Sequence, residues 1–148
     1  MNLDLQKNII AQVNEDIAAS NDDDQVICFT HVPDCTHVAI SSTGGEQAEI
    51  YRNRKGFLSI NVQAVCDARL VFTNIVARWP GSVHDATILN HSLLCAQLES
   101  GALGDGVLLG DGGYACKSYL LTPLLRPTTA AERRYQYAHI RTRNPIER

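Results

Sequence analysis

Trp79 to Leu89 reads W-P-G-S-V-H-D-A-T-I-L, and Leu108 to Tyr114 reads L-L-G-D-G-G-Y. Each places an aspartate, Asp85 and Asp111, directly after an apolar, strand-like run and among small residues, the position a functional side chain takes at the end of a sheet. A third carboxylate, Asp34, lies in V-P-D-C-T-H-V, and Glu147 lies in R-N-P-I-E-R at the end of the chain. Any one such aspartate more often caps a turn or a helix. Taken together, the four acids are read as converging on divalent metal, because hard cations select carboxylates and four carboxylates brought together without one repel each other.

The element order follows from periodicity. Val26 to Val32 is apolar and β-branched enough for a strand that ends at Pro33-Asp34, and S-S-T-G-G at Ser41–Gly45 marks a loop with a polar stretch to Gly56. Leu58 to Cys66 alternates apolar and polar residues with period two, Leu70 to Ala77 repeats the habit, and the short Asp67 turn between them predicts an antiparallel hairpin. Pro80-Gly81 ends that hairpin. Asp85 to Gly101 has helical spacing and closes on glycine. Val107 to Leu109 is a short buried strand reached by a helical crossover, hence parallel to its neighbour. Ser118 to Leu121 is expected to be a helical turn. Thr129-Ala-Ala-Glu132 fits a capping box that opens a basic helix, which Asn144-Pro145 then interrupts. These elements predict an α/β fold, a mixed sheet flanked by helices, with Asp34 and Asp111 on adjacent parallel strands.

The 148 residues, 45% apolar and 20% charged, suffice for one core. Residues 1–24, with one helical face before N-D-D-D, are read as an acidic appendage, and 25–148 as the domain. No apolar run approaches the roughly 18 residues of a membrane helix, and Met1 opens a polar segment rather than a signal sequence. Five cysteines without a C-x-x-C pair argue against a disulfide framework or a zinc knuckle and for a reduced, intracellular setting. Net charge is −3, but residues 1–24 balance at −5 and residues 117–148 at +5. The basic third could face a polyanion, although such a run is more often a solvated helix face.

The segments N-R-K-G-F-L-S-I-N-V-Q-A-V-C-D, R-W-P-G-S-V-H-D-A-T-I-L, L-L-G-D-G-G-Y and Y-A-H-I-R-T-R-N-P-I-E-R resemble the DDE-type transposase domain of the PIF/Harbinger superfamily. The likeness covers Asp34 to Arg148. It implies an RNase H-like fold and a nuclease of the transposase-derived type that hydrolyses DNA phosphodiesters with two Mg²⁺ or Mn²⁺ ions, and it makes Asp34, Asp85, Asp111 and Glu147 the catalytic metal ligands. The 35 residues between Asp111 and Glu147 match the separation of the last two acids in many such enzymes, whereas Asp85 lies in the stronger motif. Both are kept. The resemblance also implies DNA contact by Lys117, Arg141 and Arg143, a separate Myb-like helix-turn-helix partner protein, and a nuclear location with the cytoplasm as a second. The family's D-G-T-H is D-C-T-H at Asp34–His37, and Pro145 interrupts the helix that carries the final glutamate.

Two classes of function stand open: a metal-dependent nuclease, and a catalytically silent, domesticated DNA- or protein-binding module that retains its acids by descent. His84, Thr36 and His37 are weaker candidates beside the acids, and Trp79 and Tyr114 are read as packing residues. Glu147 is the penultimate residue, on a helix restarted by proline, and a single turn is not stable alone. The sequence therefore predicts that this glutamate is poorly held.

Overall fold

A computed structural model describes residues 31–41, 44–104 and 106–147. The expected 1–24 appendage and most of the expected first strand lie outside them. β1 spans Val32–Ala39, β2 Ser59–Cys66 and β3 Phe72–Pro80, and the three form an antiparallel sheet in the order β1-β2-β3. β4 (Leu108–Leu109) pairs in parallel with β5 (Leu120–Leu121). A parallel bridge between His31 and Leu108 joins the two sheets, with the Leu109 amide donating to the His31 carbonyl at 3.0 Å. The strands therefore run β3-β2-β1-β4-β5 across the molecule, mixed in direction as the crossover argument requires.

The predicted hairpin is present. Asp67 closes it, its Oδ1 accepting from the amides of Arg69 and Val71 at 2.9 and 3.0 Å, while Leu70 takes a positive φ of 62°. Three expectations are corrected. Asp34 is the third residue of β1 rather than the end of a strand finishing at Val32. Proline is tolerated near a strand's start, and the β-branched Thr36 and Val38 carry the extended conformation onward. The single helix expected over Asp85–Gly101 is two, α1 (Asp85–Asn90) and α2 (Leu93–Glu99). Ser92 divides them: its hydroxyl donates to the Leu89 carbonyl at 2.7 Å and accepts from the Cys95 amide at 3.0 Å, ending one helix and capping the next. The expected helical turn at Ser118–Leu121 is a tight turn at Lys117 leading into β5, because backbone groups beside and beyond Leu108–Leu109 take their partners from it: Leu108 N to Tyr119 O at 2.7 Å and Gly110 N to Leu121 O at 2.8 Å. A 3₁₀ turn over Glu46–Tyr51 occupies the stretch read only as polar loop.

Strand alternation sorts the core into two layers. Val65, Leu108 and Leu120 face α1 and α2, packing with Leu89, Leu98 and Tyr114. Their chain neighbours Cys66, Leu109 and Leu121 face the other way, packing with Val32, Cys116 and Tyr135 of α3 (Ala130–Arg143). The capping box forms as expected, with Glu132 N donating to Thr129 Oγ1 at 3.1 Å and Thr129 N to Glu132 Oε2 at 2.9 Å. No described helix is long and apolar enough to cross a membrane.

Candidate functional site

α3 presents a polar spine to the strand ends. Tyr135, His139, Arg143 and, just past the helix, Glu147 recur every fourth residue, so they stack along one side of the helix and its continuation. Tyr135 donates its hydroxyl to the Thr122 carbonyl at 2.9 Å, and the His139 Nε2 lies 3.4 Å from the Leu121 carbonyl. Arg143 Nη1 donates to the carbonyls of Leu109 at 2.7 Å and Pro33 at 3.2 Å. All three side chains are buried. A buried carbonyl without a donor costs about as much as a lost hydrogen bond, and the spine supplies donors just where the strands stop.

Asp34, Asp111 and Glu147 gather at the end of this spine. The Arg143 guanidinium is 3.1 Å from Glu147 Oε1 and 3.7 Å from Asp34 Oδ1, with its own side chain only 5% exposed. Asp34 belongs to β1, and Asp111 lies two residues past β4, in the turn where its Oδ1 accepts from the Gly113 amide at 2.7 Å. A Cβ on Gly113 would come within 3.0 Å of that Oδ1, so the last glycine of L-L-G-D-G-G-Y leaves room for the carboxylate. Burial raises the Asp34 carboxyl above its usual range. Arg143 and the Cys35 amide work against that rise, and the negative charges of Glu147 and Asp111 reinforce it. Asp111, His139, Arg143, Asn144 and Glu147 line one cleft together with Pro123 and Ile140. Burial also pushes the His139 imidazole down to about 4, opposed by its contact with the Leu121 carbonyl and aided by the Arg143 charge.

Asp85 stands elsewhere. It opens α1, and its Oδ1 accepts from Asn61 Nδ2 at 2.8 Å while its carbonyl accepts from Gln63 Nε2 at 3.3 Å. Gln63 is paired across the sheet with Cys35, the neighbour of Asp34, so Asp85 lies on the face opposite Asp34. There it joins a buried polar layer with Gln63, Tyr114 and Cys35. Burial first, and the Asp85 charge next, push the Cys35 thiol up to about 12, and Gln63 Nε2 reaches Tyr114 Oη at 3.1 Å.

The remaining candidates are spread out. Arg143, expected to contact DNA, is turned inward as described. Lys117 donates to Glu99 at 3.0 Å and to the Tyr119 hydroxyl at 2.6 Å, so its charge is paired locally. Arg141 is exposed. His84 is exposed at the start of α1 without a capping bond, His37 Nδ1 lies 3.1 Å from Ser59 Oγ, and Thr36 is exposed. Reading the sequence missed Tyr135 and His139. The signal that finds them is the four-residue recurrence Y-x₃-H-x₃-R-x₃-E, which places two polar groups inside a helix where apolar ones are usual.

Asp34, Asp111 and Glu147 offer hard oxygen ligands and neighbouring negative charge, the chemistry that suits Mg²⁺ or Mn²⁺. Among the described residues, no three His, Cys, Asp or Glu side chains lie close enough together to hold an ion as they stand. Arg143 is the positive charge the acids face.

Comparison with known proteins returns one family and a consistent set of relatives. A family model described as DDE superfamily endonuclease matches residues 33–148. The chain is 46% identical over 117 residues to "Putative nuclease HARBI1" of Mus musculus, covering 79% of this chain and 33% of that protein. It is 43% identical over 117 residues to the Homo sapiens protein of the same name, with the same coverage. "Protein ALP1-like" of Arabidopsis thaliana is 26% identical over 121 residues, covering 72% of this chain and 30% of that protein. The chain thus spans about a third of the length of these relatives. No solved structure matches.

Proposed function

Because the chain belongs to the DDE superfamily endonuclease family, whose domains typically use divalent metals, we propose that it supplies the core of a metal-dependent nuclease acting on DNA, and that Asp34, Asp111 and Glu147 hold the metal. The observation that carries this reading is the convergence of these acids from near the start of β1, the turn after β4 and the turn beyond α3, with one guanidinium against Asp34 and Glu147. The strand order β3-β2-β1-β4-β5, with helices on both faces, supports an RNase H-like assignment. When bound, two metal ions would activate a water and neutralise the leaving oxygen. The chain's own part is to present the carboxylates from β1, the turn after β4 and the turn after α3, and to keep them short of full ionic repulsion through Arg143. Asp85, across the sheet, serves this reading as a fixed support for β2.

For DNA contact the reading retains Arg141, which is exposed on α3. A helix-turn-helix partner protein and a nuclear location belong to the same proposal. Titration with Mn²⁺, read by its electron paramagnetic resonance signal, and nicking of supercoiled plasmid test it together. The wild-type chain is expected to bind Mn²⁺ and to nick, and Asp34→Asn, Asp111→Asn and Glu147→Gln each to lose both. Wild-type binding that survives all three substitutions would sink the assignment.

A second reading, a silent DNA- or protein-binding module, is favoured by one observation. Arg143 already sets one positive charge against Asp34 and Glu147, so these two acids have a partial counter-charge without metal. DNA binding by a chain that neither takes up Mn²⁺ nor nicks would decide for it.

A further inference from the structure

Arg143 touches Asp34, Glu147 and the backbone just before Asp34 and Asp111, and the pattern of its contacts assigns it a role. Its Nη1 donates at once to the carbonyl of Pro33, the residue directly before Asp34, and to the carbonyl of Leu109, two residues before Asp111. Its Nε and Nη2 lie 3.3 and 3.1 Å from Glu147 Oε1. Among the described residues, β1 and β4 meet at a parallel bridge between His31 and Leu108, with the Leu109 amide donating to the His31 carbonyl. Past that bridge Pro33 offers no amide to extend the pairing.

We propose that Arg143 is a positioning residue, a clamp that sets the separation of the β1 and β4 ends and with it the spacing of Asp34, Asp111 and Glu147. This rests on the metal-site reading above. A guanidinium is suited to the task because it is planar, always charged and carries five donors in a fixed fork, so it can hold two carbonyls and a carboxylate at once. A lysine keeps the charge but is a point donor on a flexible stem. The clamp and the charge can therefore be separated experimentally.

The test compares the full chain with Arg143→Lys, Arg143→Gln and Glu147→Gln, after thermal melts confirm that each is folded. Amide hydrogen exchange at Leu109, which reports the β1–β4 junction and needs no metal, is expected to accelerate about tenfold or more in Arg143→Lys and Arg143→Gln, and to stay unchanged in Glu147→Gln, which leaves both carbonyl contacts in place. Mn²⁺ affinity is expected to fall by roughly 10- to 100-fold in Arg143→Lys, the range seen when a group that orients metal ligands is lost. Wild-type exchange at Leu109 in both Arg143 variants overturns the clamp. So does tighter Mn²⁺ binding by Arg143→Gln, which would make Arg143 a competing cation instead. Absence of Mn²⁺ binding by the wild-type chain overturns the metal-site reading, and the exchange data still decide whether Arg143 holds the strand ends.

Discussion

Asp34 and Asp85 stand on opposite faces of one sheet. Asp34 faces α3 and the Arg143 guanidinium, and Asp85, the first residue of α1, meets the buried amides of Asn61 and Gln63. Two carboxylates separated by a sheet cannot share an ion. Asp85→Asn is therefore expected to leave Mn²⁺ affinity within about twofold of wild type, while Asp34→Asn lowers it by at least roughly tenfold. Equal losses in the two variants, measured by the same titration, would place Asp85 back in the site.

Gly81 approaches β2 too closely for any side chain. A Cβ there would lie 2.2 Å from Ser59 Oγ and 2.7 Å from the Tyr51 carbonyl, both held in place by neighbouring structure. Gly81→Ala should destabilise the fold by about 1–3 kcal/mol, as overpacking of a filled site does. A urea unfolding midpoint unchanged from wild type would contradict this.

The capping box at the start of α3 orients the helix that bears the spine. Thr129→Ala removes the acceptor for the Glu132 amide and is expected to cost about 1 kcal/mol. Denaturant unfolding gives the value, and Thr129→Ser should recover most of it.

His139 imposes a pH dependence. Its folded value of about 4 lies below its ordinary 6.5 because burial disfavours the charged ring. Between these values the unfolded chain binds a proton that the folded chain does not, so this contribution is intact above 6.5 and fades as pH falls toward 4, by up to about 3 kcal/mol. Asp34 has the opposite sign, since its raised carboxyl favours the folded state at acid pH. His139→Gln, which keeps a donor for the Leu121 carbonyl, should flatten the fall in unfolding midpoint between pH 6.5 and 4. An unaltered slope would show that the acid sensitivity arises elsewhere.

Much of the sheet was legible in the sequence because its signals are local. Period-two alternation fixed the hairpin, T-x-x-E fixed the start of α3, and a helical crossover implied the parallel β4. What escaped depends on distant partners. Leu120–Leu121 is too short to signal a strand and becomes one only because Leu108–Leu109 lies beside it. Ser92 reads as an ordinary helix residue until its hydroxyl is seen to serve two helix ends. At the site, the motifs singled out all four acids, but a motif does not state which face of a sheet its residue occupies. Arg143 was read as a surface base for the same reason: its buried partners, Pro33 and Leu109, are far away in sequence.

Tyr135, His139, Arg143 and Glu147 follow one another in a row at four-residue spacing. At about 100° per residue, each step of four overshoots a full turn by about 40°, so the row drifts around the helix by about 80° between Tyr135 and Arg143. A row that kept pace with the helix would hold all its members against the core. This one nevertheless stays buried from Tyr135 through Arg143, and exposure rises only where the chain leaves the helix, from 5% at Arg143 to 49% at Glu147 in the turn beyond it. The acid therefore emerges at the water boundary while the guanidinium one turn behind it remains anchored in the interior. Solutes can reach the carboxylate without the helix moving.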